Sequence, residues 1–353
     1  MKKKINIIFG PSKNDLGGIS TILNNYKESF LLKKINAILI TTHKTGTNRL
    51  LLIIIFINAV LKFIKNLIKY KVEIVNLQMA SKGSFFRKLL LIVICNIFNI
   101  RYFVHIHGGG FTDFYKNSIF IVKFFIHFVL IKANKIIVCS NFFARNLSKT
   151  IKIKMNIIVI NNSIEDNFKK IKVSKGKKNY ILFLANLTPL KGINDIFSIS
   201  HDLISKNNDI KFILCGSDKQ NYYYKKFINN KNKKNFIFFN YLKGRKKIDI
   251  LKKSKIFILP SYIENSPISI IEAMSASVPV ISTNISGIPE QITHNKNGFL
   301  IKPGDKKMLK KYISVLIKNK NLASKMGKEG RITFKNKFSN DVSFQKIINL
   351  YKI

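Results

Sequence analysis

Tryptophan is absent from this chain, cysteine occurs three times, proline seven times, and 17 acidic residues stand against 62 lysines and arginines. Cys95, Cys139 and Cys215 each sit in an apolar run with no CxxC spacing. They read as core residues of a reducing compartment and build no metal cluster. Long hydrophobic runs are lacking too. Leu50–Leu61, Leu89–Ile100 and Ile119–Ile131 are the longest, each interrupted or bounded by Asn or Lys and shorter than the ~20 residues a spanning helix needs. No spanning segment is therefore expected. A signal peptide is not expected either, because Met1-Lys-Lys-Lys leads straight into the short strand-like Ile5–Gly10.

What is present is a 353-residue chain, 46% hydrophobic, long enough for two globular domains with their own cores. The formal net charge is +45, which suits an anionic partner such as nucleic acid or an anionic membrane surface. Compositional drift toward Lys, Ile and Asn explains part of it. The basic residues are spread along the chain and form no single module, which counts against nucleic acid as a partner. Leu50–Lys71 has an apolar first half and then lysines at 62, 65, 69 and 71. Core packing is the simpler reading of that segment, with a membrane-surface helix as the other.

Strand-like segments at 5–10, 37–41, 73–77, 102–107, 135–140 and 157–160 alternate with intervals long enough for crossover helices. The pattern restarts at 180–185, 211–215, 236–241, 256–260 and 279–282. Apolar, β-branched strands spaced this way predict parallel sheets covered on both faces. Between the halves, Lys169–Asn179 is charged and lacks apolar periodicity, as an interdomain linker would. The first strand ends in Gly10, and Gly17-Gly18 opens the next helix, so backbone N–H groups could approach an anion there. A strand running into His107 and three glycines puts an imidazole at a carboxyl edge, where open α/β sheets bind ligands. Alternation puts His105 on the same face, as a core histidine.

The densest stretch is Leu259–Gln291, LPSYIENSPISIIEAMSASVPVISTNISGIPEQ. It reads as a buried strand, a loop with Glu264, an apolar helix with Glu272, a second strand and a turn at Gly287. Ser266 is the expected N-cap and Pro267 the first helical residue. Two glutamates framing one buried helix stand out where acids are scarce. A buried lysine partner is the plain structural reading of Glu272.

The frame PSY-x-E-x-x-P, EAM, PVI-T and G-I-P-E resembles the nucleotide-sugar site of retaining glycosyltransferases of family 4, the glycosyl transferases group 1. The resemblance extends over most of the chain. It implies the GT-B fold: α/β, with two Rossmann-like parallel-sheet domains facing across a cleft. An acceptor domain would occupy 1–166, a nucleotide-sugar donor domain 167–335, and a terminal helix at 336–353 would pack back on the first. It further implies Lys191 on the diphosphate, Glu264 at the donor sugar near its anomeric centre, and Glu272 on the ribose hydroxyls. Backbone amides of Asn265, Ser266, Pro267 and Ile268 would line the sugar, and Gly216 the nucleotide. Gly17, Gly18 and His107 would serve donor phosphates and acceptor. Asn186 stands where the family has an arginine, a loss that Arg245 or Lys246 could compensate. Asn265-Ser266 and Ser277-Val278 also depart from the usual pattern. The implied activity is metal-independent transfer of a hexose-type sugar, without cofactor, to a glycan or polyprenyl-diphosphate-linked acceptor. Cell-surface polysaccharide synthesis is the expected setting, on the inner face of the cell membrane. The absence of Asp-x-Asp disfavours the metal-dependent site of the other common glycosyltransferase fold.

Overall fold

The computed structural model describes residues 2–12, 15, 17–171, 178–229 and 232–352. Most of the expected linker, residues 172–177, lies outside them. The chain forms two compact units, 1–165 with 340–353, and 166–339.

In the first unit, β1 (Lys4–Pro11), β2 (Ala37–His43), β3 (Lys71–Met79), β4 (Arg101–Ile106), β5 (Lys135–Val138) and β6 (Ile157–Val159) form one sheet. Its order is β2-β1-β3-β4-β5-β6, and all pairs are parallel. The strands are near-continuous Ile, Val and Phe because both faces are covered. Strand β4 ends one residue before His107, whose N–H still continues the ladder to the Met79 carbonyl at 3.1 Å. The terminal helix Asn340–Tyr351 packs within this unit. Phe344 meets Tyr26 edge-on at 5.7 Å, Tyr351 meets Phe103 at 5.6 Å, and the Asn25 amide donates to Asn340 at 2.7 Å.

The second unit carries β7 (Tyr180–Leu184), β8 (Lys211–Cys215), β9 (Phe236–Phe239), β10 (Ile256–Leu259), β11 (Val280–Thr283) and β12 (Gly298–Ile301). Their order is β12-β11-β10-β7-β8-β9, again parallel throughout. Strand β12 has no counterpart among the expected strands. It is four residues at the sheet edge and shows no alternation to detect.

The Arg49–Lys69 helix differs from expectation in its length and in its burial. It runs 21 residues unbroken, long and apolar enough to cross a membrane, and most of its surface is exposed. Lys62 and Lys65 interrupt the apolar run in sequence without breaking the helix, so counting uninterrupted residues underestimated it. Core packing accounts for one side of it only: Ala59 and Phe63 are buried, and Phe56, Val60 and Leu67 are partly buried against the same core.

Candidate active site

In the second unit the strand order reverses between β7 and β10. Open α/β sheets bind ligands beyond the carboxyl ends of the strands at such a point, and two loops leave the sheet there. The loop after β7 carries exposed Asn186, turns through Pro189–Lys191 and reaches Gly192. Gly192 has φ +79°, and a Cβ there would lie 2.2 Å from the Pro260 carbonyl oxygen. Only glycine permits both that turn and that approach. The two loops are stitched together by the Tyr262 N–H to the Leu190 carbonyl (2.9 Å) and the Tyr262 hydroxyl to Asp195 Oδ2 (2.9 Å).

This stitching puts Lys191 against Glu264. The ammonium donates to Glu264 Oε1 at 2.6 Å and to the Ile263 carbonyl at 3.1 Å, and Ser261 Oγ donates to the same carboxylate oxygen at 3.3 Å. Both side chains are largely covered yet reachable from solvent, at 28% and 12% exposure. A cation and a carboxylate held this way can grip an anionic leaving group and a sugar hydroxyl side by side.

The helix after this loop is Ile268–Ser275, with Pro267 at its N-cap. Its start is one residue later than expected, and Ser266 does not cap it. The Ser266 hydroxyl accepts instead from Gln291 Nε2 at 3.1 Å, and the Asn265 carbonyl accepts the Gly287 N–H at 2.9 Å. With no side chain capping its first turn, the helix presents backbone N–H groups as an N-terminal dipole end. Glu272 lies one turn inside, 3% exposed, and accepts from Lys247 Nζ at 2.8 Å.

Lys247 was missing from the sequence-derived site. One lysine among so many carries no signal until the fold brings it to Glu272. Arg245 and Lys246, two and one residues earlier on the same helix, are exposed. The Lys247 ammonium also acts on Cys215 at the end of β8, opposing the burial that pushes that thiol up to about 12. Gly216 follows directly. A Cβ there would come within 1.9 Å of the Ala185 carbonyl oxygen, so the β7 and β8 loops close on each other only with glycine.

Gly17, Gly18 and His107 belong to the first unit. Gly17 is extended at the N-cap of Gly18–Glu28, with no side chain capping that helix and open space where a Cβ would stand. Residues 13, 14 and 16 of this loop lie outside the described residues. His107 stacks on buried His105 with ring centroids 4.0 Å apart, and its Nε2 pairs with the Gln78 side-chain oxygen. Behind it lies Lys88, fully buried, donating to Thr42 Oγ1 (3.2 Å) and Ser84 Oγ (3.3 Å). Burial, with the Arg87 charge beside it, lowers Lys88 to about 7. Burial first and the Lys88 ammonium second hold both His107 and His43 at about 3. The imidazoles are therefore neutral at physiological pH, suited to hydrogen bonding with a hydroxyl and unsuited to carrying charge. Lys88 sits in an apolar helix, where composition gives no reason to single it out.

Two six-stranded parallel sheets, with an ion-paired loop site at the switch point of the second, define the GT-B class of α/β protein. The model of the family described as glycosyl transferases group 1 matches residues 164–333, which span most of the second unit of this chain. An uncharacterized glycosyltransferase of Methanocaldococcus jannaschii is 29% identical over 72% of this chain and 67% of its own. The capsular polysaccharide biosynthesis glycosyltransferase CapM of Staphylococcus aureus is 24% identical over 54% of this chain and 50% of its own. The alignments thus span two thirds of the first relative and half of the second. The Anabaena protein HepE, solved in complex with UDP-glucose, superimposes with a TM-score of 0.74 at 14% identity, over 99% of this chain and 100% of its own.

Proposed function

We propose that this chain is a retaining glycosyltransferase of family 4. It would move a hexose-type sugar from a nucleotide-diphosphate sugar to a glycan or polyprenyl-diphosphate-linked acceptor, in cell-surface polysaccharide assembly at the cytoplasmic face of the membrane. The observation that carries the reading is the Lys191–Glu264 pair at the β7/β10 switch point, placed just ahead of the uncapped helix start at Ile268. The capsular relative and the UDP-glucose-bound neighbour support it.

In this reading the diphosphate lies against Lys191 and the first turn of the Ile268–Ser275 helix. Cation and dipole stabilise the negative charge that grows as the bond from the anomeric carbon to phosphate oxygen breaks. Glu264 holds the sugar near that carbon, where its negative charge favours the cation-like transition state. Backbone amides of Asn265, Ser266 and Ile268, spaced around Pro267, orient the sugar hydroxyls. Glu272 binds the ribose. Gly216 lets the nucleotide approach the backbone, with Asn186 and Arg245 at its rim. An acceptor hydroxyl attacks the same face that the phosphate leaves, and His107 and the Gly17–Gly18 loop are the residues of the first unit assigned to the acceptor. The new bond joins acceptor oxygen to the anomeric carbon, and the hydroxyl proton passes to the departing phosphate. The anomeric configuration is kept, and no cofactor or metal takes part.

The test is a panel of nucleotide sugars scored by thermal shift, followed by product analysis with the donor that binds. A product with inverted anomeric configuration overturns retention, and activity abolished by EDTA and restored by a divalent cation overturns metal independence. Glu264→Ala and Lys191→Ala should lower kcat by about 100-fold or more, the loss typical of a removed charge-stabilising group. Glu272→Ala should mainly weaken donor binding. Wild-type turnover in both glutamate variants would remove the site assignment.

A further inference from the structure

Most of the large hydrophobic side chains exposed on this protein fall on three helices of the first unit: Arg49–Lys69, Gly83–Ile97 and Phe120–Lys132. The three connect β2 to β3, β3 to β4 and β4 to β5, each crossover progressing toward the β6 edge. Right-handed crossovers therefore place them side by side on one face of the sheet. Their inner residues confirm this, since Phe63, Phe85, Leu91, Ile126 and Val129 belong to a single core cluster. Their outer residues are equally apolar. Ile57 is 52% exposed, Ile97 69% and Phe120 83%. A water-facing surface of this size on one side of a sheet marks an interaction site.

The charges say what covers it. None of the three helices contains an Asp or Glu, while Arg49, Lys62, Lys65, Lys69 and Lys132 stand exposed among the apolar residues. Asp113, on the short helix between the second and third, is the nearby exposed acid. Apolar side chains interspersed with cations suit the boundary between acyl chains and anionic headgroups. The Arg49–Lys69 helix is held to the sheet by fully buried Phe63, edge-on to Phe9 with centroids 5.1 Å apart, and by buried Ala59. Spanning a bilayer would strip those contacts.

We propose that these three helices form a membrane-binding face that lies in the plane of an anionic bilayer. The surface deepens the proposed function by placing the first unit where a lipid-linked acceptor is found, yet its test is independent of the donor site. Full-length protein is floated at low salt with vesicles of phosphatidylcholine alone or of equal phosphatidylcholine and phosphatidylglycerol. Flotation with the anionic vesicles, and far less with the neutral ones, is expected. Ile57→Glu/Phe120→Glu/Phe124→Glu should lower the bound fraction about tenfold or more, with unchanged circular dichroism and unchanged thermal shift by the donor nucleotide sugar. Lys62→Gln/Lys65→Gln/Lys69→Gln should lose the preference for anionic lipid. The proposal is overturned by failure to float or by equal flotation of the wild type and the glutamate variant. Retention on the membrane through an alkaline carbonate wash would mean a spanning helix. A lipid-free dimer that the glutamate variant dissociates would mean that a second copy covers the face.

Discussion

At Glu272 an ordinary structural force and the proposed donor contact act on the same carboxylate. The Lys247–Glu272 pair is almost wholly covered, at 14% and 4% side-chain exposure, so removing one partner strands the other charge away from water. Glu272→Ala should lower unfolding free energy by about 3 kcal/mol, and Lys247→Met by a similar amount. The double variant should cost less than the sum, as a denaturation double-mutant cycle would show. Additive losses would mean the two charges do not stabilise each other. Ser277 is a second case. It lies at φ +53°, in the left-handed region, at the position where the family resemblance leads one to expect glycine. Ser277→Gly should therefore stabilise the fold by about 1 kcal/mol, read as a higher denaturation midpoint. The substitution pattern was visible in the sequence, but the strain it causes is a property of the backbone. Lys88 gives a pH dependence. Its folded pKa of about 7 lies below the ordinary lysine value, so between these pH values the unfolded chain binds the extra proton and stability rises with pH. Lys88→Met should flatten that rise. His43 and His107, lowered to about 3, contribute stability that is present above the ordinary histidine pKa and lost as pH falls toward 3.

Elements carry a different lesson. The Arg49–Lys69 helix is hydrophobic nearly all round, and such a pattern ordinarily means burial. Here one side meets the sheet, with Ala59 and Phe63 buried and Phe56, Val60 and Leu67 partly buried beside them. Phe63→Ala should cost about 3–5 kcal/mol by leaving a cavity beside Phe9, whereas Ile57→Lys should leave the melting temperature nearly unchanged, both read by thermal denaturation. Equal effects would show that the helix is packed on both faces. The strands were far more legible than this helix, because β-branched runs bounded by turn residues have one reading in a parallel sheet. The Ile268–Ser275 helix was legible in position and apolarity. Its cap was not, because the Ser266 hydroxyl is claimed by Gln291, 25 residues away.

For the whole molecule the dominant fact is a formal charge of +45. Like charges at this density destabilise the compact state by self-repulsion, and salt screens them. Thermal stability should therefore rise as salt is raised from low to physiological levels, the reverse of a protein held together by surface ion pairs. A melting temperature that falls with salt would show that surface pairs such as Lys310–Asp202 outweigh the repulsion.

Taken by itself, the sequence determined the α/β alternation, its restart in the second half, and the stretch that holds Glu264 and Glu272. These are local properties, carried by periodicity, by turn residues and by the rarity of acids. The sequence resemblance had singled out Lys191, but only the tertiary structure gave it its partner and brought in Lys247 and Lys88. Lys191 meets Glu264 because Gly192 folds against Pro260, Lys247 meets Glu272 from a separate helix, and Lys88 is buried behind His107. It also decided which apolar residues face water. Contacts between residues distant in sequence depend on how strands order themselves in a sheet, and no local pattern in a uniformly basic, uniformly apolar chain records that order.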